Sequence, residues 1–317
     1  MLGILTSTIR RFATAALVST AALAAAPAQA QLFGGYTQTK YPIVLVHGFI
    51  GFDSIIGIDY FYKIPQALRD GGAKVYIAQV NPSQTTEYRG EQLLQQMKAW
   101  AAKDGVKKFN IIGHSHGGPT ARYVAGVAPS LVASVSTVAG THFGSKVADA
   151  IGANTTPGSG FDQLATAGLQ LINYLAGGSQ QSVKDTDLLT ALAALNTAGA
   201  TAFNAKFPAG KPTSSCGSGA SSVNGIYYYS FSGTSVKTNA LDIADVFMDI
   251  TGKYYGTEAN DGLVGRCSSH WGKVVKDNYP WNHIDEINHV FGLIGNGAPD
   301  PVEFYRQHAN RLKWAGI

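Results

Sequence analysis

Four short apolar runs, each separated from the next by a stretch of helical composition, constrain this chain more than any other feature. They lie at 42–46 (Pro-Ile-Val-Leu-Val), 74–80, 108–112 and 131–138. A strand buried on both faces reads as a continuous apolar run, whereas a half-exposed one alternates. Between the runs, residues 60–70 read as a helix stopped by Gly71 and Gly72. Residues 87–103 place Leu93, Leu94, Met97 and Trp100 at helical spacing, and 119–127 form a short helix. Strands alternating with helices mean βαβ units and a parallel sheet, so the fold class is α/β. No repeat of fixed period is present. With 317 residues, 45% hydrophobic and 14% charged, there is ample material for a buried core, enough for one large α/β domain or two small ones. The 37 glycines are scattered without a Gly-x-y period, which points to tight turns and not to a fibre.

The character changes from about 145 to 222, where Ala, Gly, Ser and Thr dominate. Two helical stretches stand out there. One is 161–176, with Leu164, Leu171, Ile172 and Leu175 close to one face; the other is 186–196. A strand follows only at 226–231. The block reads as a helical cap inserted over the sheet; helices packed on the sheet's flank fit equally, because periodicity does not say what a helix packs against.

Residues 1–30 have the pattern of an export signal. Arg10 and Arg11 are their only charges, 12–26 is mostly apolar and Ala-rich, and Ala28-Gln29-Ala30 is a small-x-small cleavage pattern. The apolar run is too short for a membrane anchor. An arginine pair alone is a weak signal for twin-arginine export, and the general secretory route is preferred. Removing these residues takes two of 24 basic residues and no acids. That leaves 22 against 20 acidic, a net charge of +2, too small for a nucleic-acid footprint. Cys216 and Cys267 are the only cysteines. In an exported chain they predict one disulfide, closing a loop of about 50 residues worth roughly 4 kcal/mol on the loop-entropy estimate.

Gly113-His114-Ser115-His116-Gly117 matches Gly-x-Ser-x-Gly. The bare pattern is weak in a glycine-rich chain, but here it follows a strand and precedes a helix, the context a nucleophile elbow requires. A serine hydroxyl is a poor nucleophile at neutral pH and needs a base beside it. The sharp turn puts Ser115 at positive φ, where its neighbours must be small, and the helix behind aims N–H groups at developing negative charge. A second oxyanion donor belongs on the loop after the first strand, which is His47-Gly48-Phe49. The expected donors are the backbone N–H groups of Phe49 and His116, with the His47 side chain structural.

In α/β-hydrolases the chain order is Ser, acid, His. That leaves His270, His283, His289 and His308 as candidate bases. Asp261, in the turn Asn260-Asp261-Gly262, is the best acid by spacing, with Asp242, Asp245, Asp249 and Asp277 competing. Triad members are recognised by geometry, so spacing alone leaves this open.

The chain resembles the Pseudomonas-type bacterial triacylglycerol lipases (bacterial lipase family I). The matching segments are 41–48, Arg-Gly-Glu-Gln-Leu-Leu-Gln-Gln (89–96), Ile-Gly-His-Ser-His-Gly-Gly-Pro-Thr (112–120) and Ala-Asn-Asp-Gly-Leu-Val-Gly (259–265). Cys-Ser-Ser-His (267–270), Asn-His-Ile-Asp-Glu (282–286) and Tyr-Arg-Gln-His-Ala-Asn-Arg-Leu-Lys (305–313) complete the set. The likeness is weakest in 145–222. It implies an α/β-hydrolase fold with a mostly parallel central sheet, flanking helices and an inserted cap whose 161–176 helix acts as a lid. It implies Ser115, Asp261 and His283 as the triad and a Cys216–Cys267 disulfide. It also implies one structural Ca²⁺ on the carboxylates of Asp242 and Asp285 and the backbone carbonyls of His289 and Leu293. Two hard carboxylates with carbonyl oxygens suit that ion. The implied activity is ester hydrolysis of acylglycerols by a secreted monomer, with an esterase or polyester hydrolase as the alternative. The implied partners are a lipid or other ester substrate at an interface and the dedicated periplasmic foldase that such lipases commonly need.

Overall fold

The computed structural model describes residues 35–49, 54–55, 58–153 and 188–317. The expected export signal and the 161–176 lid lie outside the described residues. Strand β1 (Ile43–Val46) leads to a small hairpin, β2 (Ser54–Ile55) and β3 (Ile58–Asp59), then α1 (Ile64–Asp70), β4 (Val75–Ile77) and α2 (Thr86–Asp104). Next come β5 (Phe109–His114), α3 (Gly117–Val127), β6 (Val132–Val138) and α4 (Lys146–Ala153). After the undescribed stretch follow α5 (Leu188–Leu195), α6 (Thr197–Lys206), β7 (Ser222–Val223), β8 (Ile226–Gly233), α7 (Ala244–Gly252), β9 (Lys273–Tyr279) and α8 (Pro301–Trp314).

The sheet order is β4-β1-β5-β6-β8, with β7 and β9 both on the far side of β8; every pairing is parallel except the two-residue β7. The apolar runs form strands because both faces are covered. Ile43 and Leu45 join a core with Ile64, Leu68, Phe304 and Leu312 on one face. Val44 and Val46 join Leu93, Met97, Val124 and Trp271 on the other. From β1 the chain steps to β4 on one side and then to β5 on the other. The crevice at the carboxyl ends of β1 and β5 is therefore a topological switch point, where open α/β sheets bind ligands.

Helix α2 is closed at both ends by local chemistry. The Thr85 side chain accepts from Tyr88 N, and Gly105 ends the helix at φ 66°. The first predicted helix starts later than 60–70 indicated. Pro65 is admitted only in the first turn, Lys63 turns left-handed at φ 62°, and Tyr60 and Phe61 are drawn into the core instead. The stretch 186–196 becomes α5, and a further helix, α6, follows it. Asp149 accepts from Thr197 N (2.8 Å) and Thr197 Oγ1 (2.6 Å), tying the start of α6 to α4. Leu192 and Leu195 of α5 pack with Ala148 against Phe49 at the end of β1, while Phe207 just beyond α6 packs on Tyr123 of α3. The described part of the block thus touches both the mouth of the sheet and its flank. Cys216 and Cys267 form a disulfide between residues 51 apart in sequence.

Candidate active site

Ser115 directly follows β5 at φ 56°, with its N–H donating to Val138 O at 2.9 Å on the neighbouring strand. A non-glycine residue held left-handed is strained and persists only where its surroundings fix it. They do so through absent side chains. A Cβ on Gly113 would lie 2.2 Å from Gly117 O, and one on Gly117 would lie 2.2 Å from Val46 O. One on Gly48 would lie 2.7 Å from Ser115 Cβ, so the loop after β1 presses directly on the serine.

That loop is clamped from below. Buried Arg89 of α2 donates to His47 O (2.6 Å), to Asn81 O (2.9 Å) and to Thr120 Oγ1 (3.2 Å). The Thr120 hydroxyl in turn donates to His116 O at 2.8 Å. With no carboxylate paired to it among the described residues, the Arg89 guanidinium is pushed down to about 9 by burial. His116 lies with Nε2 2.9 Å from Thr86 Oγ1. Burial, then the Arg89 and His47 charges, hold its pKa well below the usual histidine range.

Asp261 and His283 are brought together twice. His283 Nδ1 is 2.8 Å from Asp261 Oδ2, and the His283 backbone N–H donates to Asp261 O at 2.8 Å. The other carboxylate oxygen accepts from Leu263 N (2.9 Å) and Val264 N (2.7 Å), and the residue is fully buried. Gly262 makes the tight turn possible at φ 102°, where a Cβ would also strike Met248. The His283 ring sits 4.5 Å, centroid to centroid, from that of His114, the residue directly before Ser115. With Nδ1 committed to the carboxylate, Nε2 is the nitrogen left to handle a proton.

The other histidines are held elsewhere. His270 Nε2 is 2.9 Å from Asp277 Oδ2, with Arg266 Nε on the same oxygen at 2.7 Å and Gly217 O 3.1 Å from Nδ1; this cluster braces the disulfide. His308 Nε2 is 2.6 Å from Ser136 Oγ, but the Nδ1 side faces Arg311, and burial lowers its pKa to about 3. A base needs an acid behind it, and His308 has a cation. Among the acids, Asp245 accepts from Thr238 N, Asn239 N and Asn282 Nδ2, and Asp249 pairs with Lys237 and Lys253 at the surface.

Asp242 and Asp285 fit an ion site. Asp242 Oδ2 and Asp285 Oδ1 are buried without a hydrogen-bond partner among the described residues. Burial first, then nearby carboxylates, pushes their pKa values up to about 6 and about 7. Orphaned carboxylate oxygens at such a cost call for a cation. His289 and Leu293 follow Asp285 on the same loop, which carries His283.

Several residues around the site had no role in the sequence reading. Asn282 Oδ1 accepts from Ile284 N (2.8 Å) and Asp285 N (2.9 Å), shaping the turn that carries His283. Glu286 is fully buried, and burial with the Asp261 charge pushes its pKa well up. Tyr60 and His114 complete the buried polar group beneath the serine. A charged or aromatic residue at these positions reads as surface or core unless its partner, distant in sequence, is known.

Comparison with known proteins gives the family and the fold. Residues 41–230 match the family described as alpha/beta hydrolase fold. A triacylglycerol lipase of Vibrio cholerae serotype O1 is 53% identical, over 89% of this chain and 91% of its own. One from Pseudomonas fragi is 40% identical, over 88% of this chain and 98% of its own. The crystal structure of Staphylococcus hyicus lipase superposes with a TM-score of 0.60 at 20% identity, covering 87% of this chain and 97% of that one, a likeness of fold.

Proposed function

This chain belongs to the α/β-hydrolase fold family and, within it, to the bacterial triacylglycerol lipases; from that premise we propose that Ser115 is its nucleophile, His283 its general base and Asp261 the acid that orients the base. The observation that carries the reading is the doubled Asp261–His283 contact, side chain and backbone both at 2.8 Å, set beside His114, the residue directly before Ser115. His283 Nε2 takes the Ser115 proton as Oγ attacks the ester carbonyl. The backbone N–H groups of Phe49 and His116 receive the oxyanion, and His283 returns the proton to the departing glyceride alkoxide. A water deprotonated by His283 then releases the fatty acid and regenerates Ser115. Asp261 holds the imidazole in one tautomer and stabilises its charged form at both steps. The strained elbow and the N-terminus of α3 favour the developing negative charge before the substrate arrives.

A calcium ion would be held by Asp242, Asp285 and the backbone carbonyls of His289 and Leu293. When bound it neutralises two buried carboxylates and fixes the loop after His283; its role is structural. Export is supported by the disulfide, which persists in oxidising compartments, and by the pattern of residues 1–30. Among the described residues no helix is long and apolar enough to cross a membrane.

The direct test is Ser115→Ala assayed on emulsified triacylglycerol. Turnover is expected to fall by about five to six orders of magnitude with the melting temperature maintained. Substantial retained turnover rejects the assignment.

A further inference from the structure

We infer that Tyr60, His114 and Glu286 form a buried positioning relay that joins the loop bearing Phe49 to the turn bearing His283, so that the two halves of the site are held in register. The inference rests on the roles given above to Ser115, His283 and Phe49. At one end, Gly48 N–H donates to Tyr60 Oη at 3.1 Å, and Gly48 is the residue that presses on Ser115. Tyr60 Oη is 2.7 Å from His114 Nδ1. His114 Nε2 then lies 3.3 Å from Glu286 Oε2, a close polar approach and not a formed hydrogen bond, and neither atom has any hydrogen-bond partner among the described residues. The second Glu286 oxygen accepts from Gly233 N at 2.5 Å, anchoring the carboxyl to the end of β8. Glu286 lies on the His283 turn, three residues on.

Burial makes this arrangement informative. Tyr60 is 7% exposed, and His114 and Glu286 are 0% exposed. Space beneath a serine would be filled at lower cost by apolar side chains, since buried polar groups are stable only as connected networks. Burial, then the neighbouring His283, holds the His114 pKa well down, so the ring is neutral. A neutral imidazole donates from one nitrogen and accepts at the other, which suits it to link a hydroxyl to a carboxyl. Burial keeps the Tyr60 hydroxyl protonated, and a hydroxyl serves either sense. Glu286 is not a second acid for His283 in this geometry. Its Oε2 is 3.9 Å from His283 Nδ1, beyond hydrogen-bond range, while Asp261 occupies that nitrogen at 2.8 Å.

The relay is tested by cutting it at both ends, with kcat and KM read on a soluble nitrophenyl ester and the melting temperature as the control for folding. Tyr60→Phe and Glu286→Gln are made singly and together, in the native background and with His114→Phe. Each single change is expected to lower kcat about tenfold with KM nearly constant, as for an interaction that matters in the transition state. The double variant should lose about tenfold as well, because either cut breaks the same connection. With His114→Phe, itself about tenfold down, neither change should cost more than about twofold further. Losses that multiply to about a hundredfold, or native kcat in His114→Phe, overturn the inference. So does a lowered melting temperature with unaltered kcat. If His114→Phe does not fold, His114→Asn, which retains a partner for Tyr60 and loses the one for Glu286, takes its place and should match Glu286→Gln. Ser115→Ala is carried in parallel: activity there would mean the triad reading has failed, which is separable from failure of the relay.

Discussion

At the scale of single residues, the site depends as much on missing atoms as on reactive ones. Ser115 can hold φ 56° because Gly113, Gly117 and Gly48 leave room for backbone to approach. Gly48→Ala would place a methyl 2.7 Å from Ser115 Cβ and 2.8 Å from Tyr60 Oη. Reacting atoms displaced by about an ångström lose on the order of a hundredfold in rate. We expect a kcat fall of that size with a small change in melting temperature, read by steady-state kinetics beside thermal denaturation; a variant at native rate would show the contact to be slack. Asp261→Asn keeps the backbone bond from His283 N to residue 261 and the turn donors, so the fold should persist. The amide presents its N–H₂ or holds the imidazole in the wrong tautomer, and kcat should drop by about 10³ to 10⁴. A loss under tenfold on a soluble ester would mean that another group serves as the acid.

At the scale of elements, legibility followed the kind of signal each one carries. The strands β1, β5 and β6 could be read because both faces are buried, which writes them as unbroken apolar runs. Strand β9 could not. It is an edge strand, Lys-Val-Val-Lys-Asp-Asn-Tyr, half-exposed along its length, and pairs with β8 through register shifts. Helices α6 and α7 are short, and α8 opens on Asp300 and Pro301, a start signal whose reading needs the preceding loop. The base was open among four histidines for the same reason: what separates His283 from His270 and His308 is the partner on the second nitrogen, a contact made across the fold. The disulfide staples the 216–217 loop to the turn before β9 and sits beside the His270–Asp277 pair. Replacing both cysteines by serine should cost about 4 kcal/mol and lower the melting temperature by roughly 10 °C. Activity below the transition should be nearly unchanged, because no triad residue lies in the loop's hydrogen-bonded cluster. A strong loss of kcat at low temperature would contradict that separation.

At the scale of the whole molecule, the sheet brings together groups separated by more than two hundred residues. Phe49 follows β1, Ser115 follows β5, Asp261 lies on the turn after α7, and His283 follows β9. The proposed ion site belongs to this scale, because a bound cation would join the segment before α7 to the loop after His283. In the unfolded chain the carboxyls of Asp242 and Asp285 titrate near 3.8; in the fold they are pushed up to about 6 and about 7. The ion-free folded state therefore binds more protons than the unfolded state between those values. Its stability from this pair is present at low pH and is lost as pH rises through about 6 to 7. A bound cation takes the deprotonated carboxylates and reverses the trend. The melting temperature in chelator should fall between about pH 5.5 and 8.5, and added Ca²⁺ should raise it far more at the upper pH than at the lower. An equal calcium effect at both values would place the ion, if any, away from these carboxylates.

The most direct measurement is covalent. A serine-reactive phosphonate is added to the native protein, to His283→Ala and to Asp261→Asn, and the labelled peptide is identified by mass. One label is expected, on Ser115, formed rapidly in the native protein, orders of magnitude more slowly without the imidazole, and at an intermediate rate with Asn at 261. Label on any other residue, or labelling of Ser115 at an undiminished rate in His283→Ala, would contradict the triad assignment.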